Sequence, residues 1–248
     1  RVDCGQQLGY DPGMSPNAKA LFSIGVLAAA VVAHPSDARA DAILYGPSPY
    51  LQSSDSPFSG LSTDYAYVET FEDGLLNTPG LTSSGGLVIG NDQYIDSIDA
   101  EDGFVDGTGS STGHSLWSAF QTMVMTFTFD ASLLGGLPTY AGLVWTDIGY
   151  NAPTPYYGPV SFEAFGSLGQ SLGIIGPTVL GDGSDTGQTA EDRFFGVYDP
   201  LGISSIRIST NNTDWELDDV QYGKTTSVPE PSSLLLTGLG LAGVLGYR

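Results

Sequence analysis

Between Asp41 and Tyr222 no window of twelve residues repeats its apolar positions at helical spacing, and that excludes most folds before any motif is weighed. The clearest stretch is Thr122–Phe129 (TMVMTFTF). Met123, Met125, Phe127 and Phe129 fall on one side and Thr122, Val124, Thr126 and Thr128 on the other, the pattern of a strand with one buried face. Tyr65–Phe71, Ala141–Ile148, Pro159–Phe165, Arg193–Tyr198, Ile203–Ser209 and Trp215–Tyr222 read the same way, and Gly86–Gly90 more weakly. Gly, Pro, Asn, Asp and Ser fill the gaps. Strands recurring without helices predict an all-β fold, an antiparallel β-sandwich of jelly-roll-like type over residues 41–222, with a short polar linker at 223–227. Two stretches read as loops: 41–64, which holds Pro47, Pro49 and Pro57, and the acidic, Gly-rich 91–113.

Two apolar segments flank this body. Residues 1–13 read as upstream translation, with Met14 as the start. Lys19 then precedes the apolar run Ala20–Ala33, Pro35 breaks it, and Ala38 and Ala40 frame an A-x-A cleavage site. That is the three-part pattern of a secretory signal peptide over residues 14–40, with signal peptidase cutting before Asp41. The far end, residues 228–248, reads VPEPSSLLLTGLGLAGVLGYR. Pro229 and Pro231 fix φ and remove two backbone donors, and Ser232 and Ser233 can cap a helix starting at Leu234. Leu234–Tyr247 is apolar apart from Thr237, and its glycines are better tolerated in lipid than in water; it is read as a transmembrane helix closed by Arg248.

The motif Val228, Pro229, Glu230, Pro231, the Leu/Gly-rich stretch and the terminal basic residue together resemble the PEP-CTERM sorting signal of Gram-negative bacteria. The resemblance implies processing by an exosortase and export to the cell envelope, surface or extracellular matrix, with membrane attachment through the C-terminal segment before processing. It also implies an association with exopolysaccharide and biofilm. The same tail is also labelled ice-binding protein C-terminal domain. An ice-binding face would need a flat Thr array, and Thr122, Thr126 and Thr128 form one row broken by Val124.

Charge narrows the partners. Residues 41–227 hold 24 of the 28 acidic residues against three basic ones, Arg193, Arg207 and Lys224. Such a surface repels nucleic acid and anionic lipid and suits divalent cations and neutral partners. The single cysteine, Cys4, lies outside this part, so no disulfide framework or thiol nucleophile is available. His114 is the one histidine of the exported part. It abuts Ser115 in a Gly113-His114-Ser115-Leu116-Trp117 stretch that lacks the second glycine of a nucleophile elbow. Zinc sites of Cys/His type and phosphate loops are excluded by residue inventory.

Calcium takes oxygen ligands and is the cofactor this composition favours. One candidate set is Glu72 and Asp73, ending an early strand, with Asp218 and Asp219 in the last strand; they meet if the two strands are neighbours. A second is the loop 181–192 with Asp182 and Asp185, which starts like an EF-hand loop but has Arg193 where a bidentate Glu belongs. For sugars, Tyr150, Tyr156 and Tyr157 on a Pro-rich loop form the best stacking platform, with Trp117, Trp145 and Trp215 as alternatives. The functional expectation is an exported, non-enzymatic surface or matrix protein. A calcium-stabilised carbohydrate-binding module and a glycan-active enzyme using two carboxylates are the alternatives.

Overall fold

The computed structural model describes residues 41–90, 95–102, 104–107, 113–148, 159–180 and 189–226. These residues form β1 (Ile43–Pro49), β2 (Thr63–Glu69), β3 (Leu81–Ser83), β4 (Leu87–Gly90), β5 (His114–Trp117) and β6 (Val124–Phe129). A single helical turn, α1 (Ala131–Leu134), follows. Then come β7 (Tyr140–Ile148), β8 (Pro159–Gly166), β9 (Ser171–Val179), β10 (Arg193–Tyr198), β11 (Ile203–Ser209) and β12 (Trp215–Thr225). The helical turn is punctuated at both ends. Asp130 caps it by accepting from the Ser132 and Leu133 amides, and Gly135 ends it at φ 73°.

Every strand pair is antiparallel. One sheet runs β1-β10-β7-β12-β5-β4, with β2 also pairing β12; the other runs β3-β6-β11-β8-β9. β12 is the longest strand and the hub. β7 lies along one edge, and β2 and β5 lie end to end along the other.

The inner faces of the two sheets share one apolar cluster. Phe162 of one stacks on Phe195 of the other at 6.0 Å, and Phe129 meets Tyr222 at 5.0 Å. β8 alternates buried and half-buried residues along its whole length, as a strand with one solvated face should. Each fully buried Phe in this layer contributes about 1.5–3 kcal/mol.

β7 and β12 behave differently. All of β7 is buried, as is β12 up to Gly223. A second cluster explains it: Tyr50, Phe58 and Ile98 pack on Tyr140, Val144 and Phe194, on the opposite side of the first sheet from the inter-sheet core. The segments around Tyr50–Phe58 and Ile95–Asp102 therefore cover the outer face of that sheet.

Three expectations are corrected here. Residues 41–64 contain β1 and the start of β2, and its prolines were misleading because β1 is an edge strand with a bulge between Tyr45 and Ser48 that accommodates Pro47. Within 91–113, the described part is packed cover, with Ile95, Ile98 and Asp99 buried. The linker at 223–227 is strand through Thr225, paired to β2. β9, whose alternation is interrupted by Gly173, Gly176 and Pro177, is a strand that periodicity did not reveal. Among the described residues no helix is long and apolar enough to cross a membrane.

Candidate functional site

The site begins with one extra residue in β12. Trp215, Leu217, Val220 and Tyr222 all belong to the inter-sheet core. Strict alternation from Leu217 would put Asp219 inward and Val220 outward. A β-bulge between Asp218 and Gln221 sets two β12 residues against one of β7, and Asp219 takes φ 43°. Asp218 and Asp219 both end on the outer face as a result, and Val220 returns to the core. A left-handed φ at a non-glycine residue stores strain, and such strain gathers where a side chain has to be aimed.

The cover segment closes over these two acids. Asp218 is fully buried; its Oδ1 accepts from the Asp219 amide (2.7 Å) and its Oδ2 from the Ile98 amide (3.2 Å). Asp219 is 2 % exposed, and its Oδ2 accepts from the Tyr50 hydroxyl at 2.6 Å. Gln221 donates to that hydroxyl at 2.6 Å, and Ser56 to Gln221 Oε1 at 2.7 Å, so a polar chain fixes Tyr50 over the bulge. Asp219 Oδ1 has no hydrogen-bond partner.

Glu101, in a 3-10 turn at Asp99–Asp102, reaches the carboxyls of both Asp218 and Glu72, and its buried Oε2 is likewise without a partner. Glu72 Oε1 accepts from the His114 amide at 2.6 Å, and Glu72 Oε2 stands 3.5 Å from His114 Nδ1. Gly113 makes this approach possible: at φ 103° it has no Cβ where one would stand 2.1 Å from Ser97 Oγ.

Four carboxyls thus converge with no lysine or arginine among them. Burial, and then the Asp219 and Glu72 charges, push Glu101 up to about 9. Burial, then Glu101 and Asp219, raise Asp218 well above the carboxylate range. Asp219 rises only to about 6, because burial is opposed by the hydrogen bond from Tyr50 and by the Gln221 amide beside it. Asp218 and Asp219 are buried, Glu101 is half-buried and Glu72 stands at the rim with its side chain 38 % exposed; the buried carboxyls cannot all ionise unless a cation joins them.

More acids lie nearby under the same cover. Asp192 is fully buried, neither of its oxygens has a hydrogen-bond partner, and burial and then Asp99 push it up to about 8. Burial, then Glu191 and Glu216, push Asp147 up to about 9. Glu216 rises to about 7 by burial, held back by the Ser115 hydroxyl (2.6 Å) and the Asp96 amide (3.0 Å). Among the described residues, no three His, Cys, Asp or Glu side chains already stand around one metal position. The donor set is all oxygen, which fits a hard cation and not zinc.

Glu72, Asp218 and Asp219 come together because β2 pairs with β12, with Glu69 opposite Val220. Asp73 stays outside: it is exposed and accepts from the Leu75 amide and the Asn77 side chain, holding a turn. Asp182, Asp185, Tyr150, Tyr156 and Tyr157 lie outside the described residues, as do Ala38, Ala40 and the motif from Val228 to Pro231. Trp145 and Trp215 are fully buried and stack at 5.3 Å, so neither is a sugar platform. Trp117 is half-buried, with Phe120 edge-on at 4.6 Å and 53 % exposed. Ser115 donates to Glu216 and is buried, so His114 is not its base. Sequence reasoning missed Glu101, Asp99 and Asp192. The one available signal was Ile95 and Ile98 spaced among the acids of 96–102, apolar residues that an open loop would not need.

The described chain is thus an acidic, antiparallel two-sheet domain whose buried carboxylates collect on one covered face. Residues 227–248 match the family model of the PEP-CTERM protein-sorting motif. The chain carries that sorting motif and is an exosortase-targeted exported protein, addressed to the cell envelope or surface. No curated protein and no solved structure matches it significantly.

Proposed function

We propose that this is a non-enzymatic surface protein. Its two-sheet body is delivered by the signal peptide and the sorting tail, freed by signal peptidase and exosortase, and held at the envelope or in a polysaccharide-rich extracellular matrix. The observation that carries the reading is the match of residues 227–248 to the PEP-CTERM sorting motif, next to a body whose last strand ends at Thr225. Three further features support it. The strongly acidic composition is unsuited to nucleic acid and anionic lipid. Asp147 and Glu216, one pair of acids whose pKa values are pushed apart, are 3 % and 5 % exposed and out of a polymer's reach. Ser115 is committed to Glu216.

Intact mass of the protein recovered from its native host tests the reading. The expected species starts at Asp41 and lacks the apolar tail, and it fractionates with surface polysaccharide and is released by glycan digestion. Full-length chain in the cytosol would sink the proposal.

A carbohydrate-binding module is the second reading, favoured by one observation: Trp117 and Phe120 present an aromatic edge at the surface. A glycan array separates the two readings. Binding lost in Trp117→Ala or in the Tyr156→Ala, Tyr157→Ala double variant supports a module, and no binding to any glycan leaves the structural role.

A further inference from the structure

We propose that Glu72, Glu101, Asp218 and Asp219 form a calcium site that ties the cover segment 95–102 to the paired edge of β2 and β12. The acidic cluster alone would not carry this. An independent observation points to a ligand. Asp219 is 98 % removed from solvent by its 2 % exposure, yet its Oδ1 has no partner, and the buried Oε2 of Glu101 has none either. The bulge at φ 43° places Asp219 beside Asp218 on the covered face, where it feels the charges of Glu101 and Glu72. Asp192, under the same cover, is a further buried acid whose two oxygens lack a hydrogen-bond partner, unlike Asp218 and Glu216.

The ligand chemistry follows from the groups. They are hard oxygens from four carboxyls, with backbone carbonyls and solvent to complete the shell, and no nitrogen or sulfur donor except His114 Nδ1, which stands on Glu72. Calcium accepts six to eight such oxygens in irregular geometry, whereas magnesium needs a near-ideal octahedron. Glu72 lies in the turn after β2 and Glu101 in a 3-10 turn, so side-chain rotation can close the shell while the bulge holds Asp218 and Asp219 still.

The test uses the full chain in detergent, with calcium, magnesium or EGTA, followed by thermal unfolding and by terbium luminescence. Calcium is expected to raise Tm by about 4 °C or more over EGTA. Terbium should be sensitised by Tyr50, whose hydroxyl lies 2.6 Å from Asp219, and calcium should displace it. Asp219→Asn and Glu101→Gln should each abolish the calcium shift while circular dichroism stays unchanged, and Tyr50→Phe should dim the terbium signal. Asp73→Asn, an exposed acid one residue from Glu72, should keep the full response. A Tm unaffected by chelation overturns the site. Equal losses in Asp73→Asn and Asp219→Asn overturn it too, because they mean diffuse counter-ion binding to an acidic surface. An equal response to magnesium overturns the assignment to calcium.

Discussion

Glu69 and Asp219 are buried acids on paired strands, one residue apart in register, and they live in opposite circumstances. Glu69 accepts four hydrogen bonds, from the amides of Phe71, Asn77 and Thr78 and from the Thr78 hydroxyl, at 2.6 to 3.2 Å. Its negative charge is matched by donors that the 70–78 loop would otherwise leave unpaired. Asp219 has one donor on one oxygen and acids on the other side. Burial of a carboxylate therefore does not by itself mark function. A saturated one organises a loop, and an unsaturated one among its own kind needs something from outside the chain.

That contrast can be broken at several points. The largest effect is expected from Glu69→Ala, which strands three amides and a hydroxyl. Urea unfolding should show a loss of about 3 kcal/mol, equal with and without calcium. Gly113→Ala comes next. A Cβ there would stand 2.1 Å from Ser97 Oγ at φ 103°, and about 2 kcal/mol should be lost, with Ser97 pushed off the Glu72 corner.

Asp147 supplies a pH test. Its folded pKa of about 9 lies above the ordinary 3.8, so the folded state holds a proton that the unfolded chain releases. The stability this contributes is full below pH about 4 and is lost as pH rises through about 9. Urea midpoints of the chelated protein should fall from pH about 5 to about 9. Asp147→Asn should flatten that slope and raise stability at the alkaline end by on the order of 1 kcal/mol. The smallest effect belongs to Asp73→Asn: an exposed turn acid, worth no more than about 0.5 kcal/mol by the same assay.

Much of the fold was legible because one-faced strands announce themselves. The alternation of Thr122–Phe129 places Met125, Phe127 and Phe129 in the core, although Met123 precedes the strand and is exposed. What the sequence concealed was the cover. A segment rich in Ser and Pro and another rich in Asp look like solvent-exposed loops, yet Tyr50, Phe58 and Ile98 from them build a second apolar layer. Once that layer exists, acids read as a rim become interior. The pairing of the early strand with the last one could be guessed, and with it Glu72 near Asp218. Glu101 could not, because its place depends on a 3-10 turn folding back across the sheet, a tertiary event with no period to read. The bulge was equally silent: Leu217-Asp218-Asp219-Val220 breaks alternation, and only the structure shows that an inserted residue repairs it.

The position of β12 also has a mechanical meaning. The strand ends at Thr225, and the sorting motif matches from residue 227, so almost no slack separates the folded domain from its address. Any tension applied at the C-terminus is delivered along the axis of β12. That strand is gripped by β7 on one flank and by β2 and β5 on the other, and force along its length loads those ladders in shear, all at once. A terminal strand at the sheet's border would instead unzip one bond at a time. A pull on the end of β12 therefore meets several ladders together, where a pull on a border strand would meet one.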